Sequence, residues 1–395
     1  MPGRRTIVYL HVGMAKTGTT YLQNRMWANR RLLARAGLSY PGGHRGDHFK
    51  ASIELRETPF AGEESTLVPG AWNAVASPAR SARDRALISH ETLARATPEQ
   101  IDRAMRSLSG AEVHIVVTAR DLSRQIPAVW QEMVKNRNTR GYADLLAKIS
   151  RDPPSAQGRF FWIGQDVADT ARRWAEAIPP ERVHVVTVPP PGSPKELLWN
   201  RFCAALGVDP ARAEKDVVNA NSSMGVVQTE FLRRLNPTLR RQLTWPDYAR
   251  TIKHALVKQL AGVDDAVRLR VPAQYHPWLE DRSQEMIKAI AGDGYDVVGD
   301  LADLRPILDD SPVLMPEDVE DEHLWQTAAA SIGHLAVAND RLQKRARRVP
   351  PSEPPPEPPP EPPPARGRFH PVGLVRRAGR SSAVESLRRR VKRLA

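Results

Sequence analysis

The stretch HVGMAKTGTT, residues 11–20, holds two glycines, a lysine and three threonines directly after a β-branched run. A glycine-rich loop between a strand and a helix lets backbone N–H groups approach an anion, and the helix start adds its positive dipole end. Gly13 and Gly18 have the spacing of a Walker A loop, in which a lysine follows the second glycine. Here Lys16 lies inside the loop instead. The residues predict a phosphate-binding loop in which the ammonium group of Lys16 lies over the bound phosphate. The alternative is a tight turn with a solvent-facing lysine.

The elements around this loop alternate between strand and helix patterns. Strand-like runs occur at 6–12, 85–91, 112–120 and 181–189, and helical patterns occur at 19–36, 121–136, 166–177 and 195–206. This alternation predicts an α/β fold with a mostly parallel sheet flanked by helices. The pattern is largely helical over 214–291, and 294–304 is expected to close the folded body. In such folds ligands bind at the carboxyl ends of the strands.

KTGTT on a strand-to-helix loop resembles the 5′-phosphosulfate loop of the sulfotransferases that use 3′-phosphoadenosine 5′-phosphosulfate (PAPS), in their bacterial and actinobacterial branch. The resemblance covers about residues 5–305 and implies a P-loop-like fold with PAPS as the sulfuryl donor. It implies that Lys16 contacts the oxygen that bridges phosphate and sulfate. The loop residues it assigns to donor binding are Ala15, Lys16, Thr17, Gly18, Thr19 and Thr20.

The family has a second element, a strand that ends in an arginine bound to the 3′-phosphate. VHIVVTARDLSRQIPAVWQE, residues 113–132, is similar to it, which implies this role for Arg120; the alternative is a surface salt bridge. The family often has a serine eight residues later, where this sequence has Ala128. Ser123 lies nearby at another offset and is a candidate for the second contact. The adenine-side motif RKGxxGxW is absent from the sequence, and NSSMG at 221–225 is expected to take its place.

Transfer to a hydroxyl acceptor requires a general base. LISHETL places His90 and Glu91 at the end of the second strand-like run. Neighbouring residues on a strand face opposite ways, so we expect only one of them to point into the site. The family uses His or Glu in different branches, and both stay candidates, with His48 in GGHRGDHFKA as a third. For His90 the alternative is a structural histidine. No histidine or cysteine spacing indicates a metal site.

The C-terminal part of the chain differs from the body. We predict an α/β domain at 1–310, a helical extension at 311–348, a proline-rich linker at 349–365 and a basic tail at 366–395. An apolar seam with a/d spacing runs along the extension: Trp325, Ala328, Ile332, Leu335, Asn339 and Leu342. Packing on its own domain and a homodimer zipper both remain open.

The linker and tail have compositions typical of exposed segments. PPSEPPPEPPPEPPP predicts a stiff, extended spacer. SSAVESLRRRVKRLA places an apolar stripe beside a basic cluster, the pattern of a helix that lies on an anionic membrane. The alternative is a solvated tail.

Net charge and cysteine content limit the class of protein. Of the net charge of +13, residues 341–395 carry +11, so the body is nearly balanced and we expect no nucleic-acid partner. No apolar run reaches the ~18 residues of a membrane span, and we find no signal peptide. The single cysteine, Cys203, excludes an intramolecular disulfide and is expected to be a buried thiol. These features predict a cytoplasmic protein, with the tail contacting the inner membrane surface.

The resemblance implies a PAPS-dependent sulfotransferase, and we expect its acceptor to be a hydroxyl of a small molecule, a carbohydrate or a glycolipid. Two alternatives stay open. One is a nucleotide-dependent kinase with an unusual P-loop, which would bind ATP with Mg²⁺. The other is a membrane-associated scaffold with a vestigial nucleotide site, which would not bind the product nucleotide PAP (3′-phosphoadenosine 5′-phosphate).

Overall fold

Runs of valine, isoleucine and leucine form the central strands of a six-stranded sheet, as expected for strands that are buried on both faces. The computed structural model describes residues 5–217, 224–262 and 267–348. The strands are β1 (Ile7–Gly13), β2 (Leu38–Ser39), β3 (Arg85–Ser89), β4 (Glu112–Ala119), β5 (Val183–Thr187) and β6 (Asp296–Val298). All neighbouring pairs are parallel, in the order β2-β3-β1-β4-β5-β6. The predicted α/β fold with a parallel sheet is confirmed.

Helices cover both faces of this sheet. The α-helices of the described residues are α1 (Thr19–Arg35), α2 (Asp47–Arg56), α3 (Ala71–Arg80), α4 (Pro98–Ser107), α5 (Leu122–Lys135), α6 (Tyr142–Ile149), α7 (Ala156–Trp162), α8 (Val167–Ala175), α9 (Leu197–Ala205), α10 (Val226–Gln242), α11 (Trp245–Tyr248), α12 (Val257–Leu260), α13 (His276–Gly292) and α14 (Asp321–Arg348). A π-helical segment, Ala249–Leu256, joins α11 to α12. The 3₁₀ turns are Phe60–Gly62, Glu64–Thr66, Glu91–Arg95, Pro180–Arg182, Pro210–Arg212, Ala273–Tyr275, Leu301–Leu304 and Pro316–Asp318.

Side-chain alternation along the strands divides the core between the two faces. Val8, Leu10 and Val12 of β1 belong to the larger hydrophobic cluster. Tyr9 of the same strand belongs to a smaller cluster under α1 and α9. That second cluster contains Cys203, which is buried as predicted. The two clusters therefore cover opposite faces of the sheet.

Helix α14, Asp321–Arg348, lies within the region 311–348 where the sequence predicts a helical extension. Leu324 and Ser331 are buried, whereas Trp325, Ile332 and Leu335 of the predicted seam are exposed. The homodimer through this helix stays a prediction. The linker at 349–365 and the tail at 366–395 lie outside the described residues, as do positions 221–223 of NSSMG. Among the described helices, none combines the length and the apolar character that a membrane span requires.

Candidate active site

Three connections leave the carboxyl ends of neighbouring strands at one edge of the sheet. They are the loop after β1, the pair His90–Glu91 after β3 and the pair Arg120–Asp121 after β4. Because β1 pairs with β3 on one side and with β4 on the other, the three connections meet where the strand order changes direction. The structure therefore brings together the loop, both base candidates and the arginine that the sequence singled out.

Gly13 is the residue that lets the first two of these connections touch. Its φ is +99°, and a Cβ built on it would lie 2.7 Å from Glu91 Cα and 2.8 Å from Glu91 Cβ. No side chain fits at that distance without moving the backbone after β3. Gly13, which we expect to lie close to a phosphate, thus also allows the backbone of Glu91 to come close to the loop.

The loop has a left-handed conformation at two positions. Lys16 has φ 68° and Gly18, the N-cap of α1, has φ 85°. A non-glycine residue in this region stores about 1–3 kcal/mol of strain and persists only when its surroundings impose it. Arg120 contributes to this, because its Nη1 donates to the carbonyl oxygen of Lys16 at 3.0 Å. Gly18 provides no side-chain cap, so no side chain at the N-cap uses the first-turn N–H groups of α1.

The other loop residues differ in exposure. Thr17 and Thr19 are buried, Ala15 is half-buried and Thr20 is exposed. The hydroxyl of Thr17 donates to the carbonyl oxygen of Met14 at 2.5 Å, so it braces the loop from inside. The donor contacts predicted for these residues remain predictions.

Lys16 points across the site to α5. Its Nζ lies 2.6 Å from Oε2 of Glu132, and Nζ of Lys253 lies 2.9 Å from the other oxygen of the same carboxylate. Burial disfavours the charge on Glu132, but Lys16 and Lys253 outweigh this and lower its pKa to about 2. Sequence reasoning missed Glu132 and Lys253, because no spacing along the chain links either of them to the loop.

Arg120 and Arg124 form a pair of guanidinium groups beside the loop. Burial, followed by repulsion from Arg124, lowers the pKa of Arg120 to about 10. Arg124 contacts the carboxylate of Asp121 and donates from Nη1 to the carbonyl oxygen of Pro189 at 3.1 Å. Nε of Arg120 and Nη2 of Arg124 are buried, and neither has a hydrogen-bond partner within the described part of the chain. Two such unpaired donors suit an anion, since buried N–H groups are normally satisfied.

Ser123 is already engaged within the protein. Its hydroxyl donates to Asp121 Oδ1 at 2.5 Å and accepts from the N–H of Ile307 at 3.0 Å. Its predicted contact with the donor stays a prediction. Arg124, four residues after Arg120, is a further residue of the site that sequence reasoning missed. A basic residue four positions after the first arginine was the available signal.

His90 and Glu91 present two different proton acceptors. Burial lowers the pKa of His90. Burial raises the pKa of Glu91, but the electrostatic effect of His90 and a hydrogen bond from Gln23 outweigh this and lower the pKa of Glu91 below its usual value. That bond joins Gln23 Nε2 to Glu91 Oε2 at 3.2 Å. Nδ1 of His90 lies 2.9 Å from Thr92 Oγ1 and 3.2 Å from the backbone N of Thr92, so Nε2 is the nitrogen that can meet a substrate. Near neutral pH the carboxylate is charged and the imidazole neutral.

His48, the third base candidate, uses both ring nitrogens inside the protein. Nε2 donates to the carbonyl oxygen of Pro41 at 2.6 Å, and Nδ1 accepts from the N–H of Ser89 at 3.0 Å. Burial lowers the pKa of His48 to about 4. This geometry leaves neither nitrogen for an acceptor proton.

A buried chain of hydrogen bonds runs beneath the site, and its direction follows from one end. Thr17 donates to a carbonyl oxygen, so it accepts from Thr118 at 2.6 Å, and Thr118 then accepts from Nε2 of His11 at 3.2 Å. Nδ1 of His11 must therefore accept from Ser89 at 2.8 Å. Longer contacts of 3.4 and 3.2 Å join the amide of Gln23 to Ser89 Oγ and to Glu91. The candidate phosphate loop and a base candidate are thus parts of one network.

Comparisons with known proteins give one structural match. A crystal structure of a sulfotransferase from Alicyclobacillus acidocaldarius is similar at 20% sequence identity and a TM-score of 0.36, over 51% of this chain and 81% of that chain. No protein-family model matches the chain, and no curated protein matches it.

Proposed function

We propose that this protein is a sulfotransferase that moves a sulfuryl group from PAPS to a hydroxyl acceptor. The observation that carries the proposal is the position of Lys16: it lies inside the loop, left-handed and with its carbonyl oxygen bonded by Arg120, rather than after Gly18. A lysine there faces the first phosphate that the loop binds, whereas a Walker A lysine serves phosphates further along the nucleotide. The reactive bond of PAPS begins at that first phosphate.

The side chains present fit such a donor. The uncapped start of α1 and the loop backbone suit a 5′-phosphate. The N–H groups of Arg120 and Arg124 that have no partner among the described residues suit a second phosphate, the 3′-phosphate. This 3′-phosphate distinguishes PAPS from adenosine 5′-phosphosulfate. We expect Ala15, Thr19 and Thr20 to contribute through the loop and the first helical turn.

The residues of the site can carry out the remaining chemistry. When bound, PAPS supplies a sulfuryl group whose S–O bond to the phosphate breaks as the acceptor oxygen bonds to sulfur. Lys16 offsets the negative charge on the phosphate oxygen, and fixed charges of this kind give the largest single contribution in many enzymes. The acceptor proton goes to Glu91, which lies against Gly13 and hence next to the loop, or to the adjacent His90.

The acceptor and the cellular setting are proposed from the sequence alone. We expect a carbohydrate or glycolipid hydroxyl, a cytoplasmic protein, and contact of the tail at 366–395 with anionic lipid. Deletion of 366–395 should release the protein from vesicles that contain phosphatidylglycerol without changing its affinity for PAP. Vesicle binding that survives the deletion would refute the membrane contact.

Titration calorimetry with PAP tests the donor. The full chain should bind PAP in the presence of EDTA, and Lys16→Ala should lower PAPS turnover at least ~100-fold, the effect of removing one charge-stabilising group in comparable sites. An acceptor screen with labelled PAPS provides the turnover assay. Binding of ATP that requires Mg²⁺, without PAP binding, would favour a kinase, and failure to bind either nucleotide would favour a scaffold.

A further inference from the structure

Lys253 is distant from Lys16 in sequence, but both lysines bind the carboxylate of Glu132. It lies on the π-helical segment Ala249–Leu256, and such segments are rare and often found at functional sites. Its ammonium group binds Oε1 of Glu132, while that of Lys16 binds Oε2. One two-oxygen anion is therefore held between two ammonium groups.

The charges around that carboxylate do not balance. Lys135 is close enough to repel both other lysines, and burial, the larger effect, lowers its pKa. Two ammonium groups within 2.9 Å thus share the single negative charge of Glu132. The side chain of Lys253 is only 24% exposed and that of Lys16 29%, so solvent compensates this excess charge only in part. A further anion bound here would relieve the repulsion.

We propose that Lys253 binds the sulfuryl group of the donor as a second cation, with Glu132 as the counter-ion of both lysines when no donor is bound. The inference rests on the proposed function. A carboxylate and a sulfuryl group each present oxygens that share negative charge on one central atom. A lysine pair that clamps the first can therefore contact the second, Lys16 on the bridging side and Lys253 on the outer oxygens.

A purely structural role for Lys253 makes a different prediction. Its ammonium also donates to Oδ1 of Asn136 at 2.7 Å and lies 6.0 Å from the ring centres of Phe60 and Trp245. If these contacts only hold the π-helical segment against α5, loss of Lys253 lowers stability and affects all nucleotides alike. A sulfuryl contact affects only the nucleotide that carries the sulfuryl group.

Titration calorimetry with PAP and with PAPS, in the absence of an acceptor, separates the two roles. Lys253→Met should weaken PAPS binding about tenfold, the value of one charge-assisted hydrogen bond, and change PAP binding less than about twofold. Lys258→Met is the matched control, because Lys258 is an exposed lysine on the adjoining α12 and should change neither affinity. Lys253→Arg, which keeps the charge, should retain most of the preference for PAPS.

Each outcome decides one point. Equal weakening of PAP and PAPS, or no change in either, would overturn the role of Lys253. Should Lys253→Met fold poorly by circular dichroism, Lys253→Gln, which keeps a donor for Asn136, is measured in its place with the same expectation. If the unmodified protein binds neither nucleotide, the proposed function itself fails, which is distinct from a wild-type protein that binds both and is insensitive to Lys253.

Discussion

Replacement of Gly13 by alanine should destabilise the protein more than the backbone conformation alone can explain. Gly13 has φ +99° at the end of β1, and its Cβ would meet the Cα, Cβ and carbonyl oxygen of Glu91 at 2.7, 2.8 and 3.1 Å. Two of these atoms belong to the backbone, which cannot rotate away as the end of a side chain can. Gly110 is the matched control, since its φ is +92° and, beyond its chain neighbours, no described residue has an atom within 4 Å of its Cβ position.

The magnitude follows from these two geometries. An L-residue forced to a positive φ costs about 1–3 kcal/mol, which both variants should show. Overpacking against a fixed neighbour adds about 1–3 kcal/mol, which only the variant at Gly13 should show. We therefore expect Gly110→Ala to lose about 1–3 kcal/mol of unfolding free energy and Gly13→Ala to lose about 2–6 kcal/mol.

Urea unfolding followed by tryptophan fluorescence measures both losses. The slope of unfolding free energy against urea should stay the same in the two variants, so that the midpoints report stability. A difference below about 0.5 kcal/mol between Gly13→Ala and Gly110→Ala would refute the close contact with Glu91. Because the contact moves a base candidate, Gly13→Ala should also lower PAPS turnover, whereas Gly110→Ala should not.

Three further predictions concern side chains near the loop. The pKa of Glu132 is lowered to about 2, so its ion pairs stabilise the folded state above its ordinary pKa and are lost as pH falls toward 2. Glu132→Gln should therefore cost about 2–3 kcal/mol of unfolding free energy at pH 7. Urea unfolding at several pH values should show this difference shrinking below about pH 4.5. Ser123→Ala should lose about 1 kcal/mol and leave the PAP affinity from calorimetry unchanged; a large loss of affinity would instead make Ser123 a donor contact. Thr17→Val should cost about 1–3 kcal/mol and weaken PAP binding, because the buried bond to Met14 that braces the loop is lost; unchanged thermal unfolding would contradict this.

Local patterns predicted the frame of the site well. The strand-like run at 112–120 corresponds to β4 (Glu112–Ala119) and the helical pattern at 19–36 to α1 (Thr19–Arg35). Such strands are recognisable because burial on both faces requires β-branched runs. Such a helix is recognisable because a glycine-rich turn precedes its first residue. The parallel sheet and the meeting of the loop, His90–Glu91 and Arg120 at one edge follow from this alternation.

Contacts between distant segments could not be predicted in this way. Glu132 meets Lys16 and Lys253 only because α5 and the π-helical segment fold over the loop, and nothing in the spacing of these residues requires it. The same holds for the close approach of Gly13 to Glu91. Strand β2 has only two residues, too few for a periodic pattern.

The second contact of Arg120 shows the other limit of pattern reasoning. The sequence offered Ser123 as the nearest hydroxyl to the position of Ala128. The structure engages that hydroxyl with Asp121 and Ile307, and among the described residues it gives one N–H of Arg124 no partner. A hydroxyl close in sequence is available to a ligand only if the fold does not use it first.

The hydrogen-bonded chain beneath the loop has a consequence for the acidity the protein can tolerate. Since Met14 accepts at one end, every donor in the chain has one permitted direction, and His11 can hold its proton only on Nε2. Burial lowers the pKa of His11 to about 4, so a second proton enters only in acid, where it would break the bond from Ser89. The loop should accordingly keep one shape from weakly acidic to alkaline solution. A change in rate across neutral pH would then report the groups that meet the substrates, because His11, at the centre of this chain, does not titrate there.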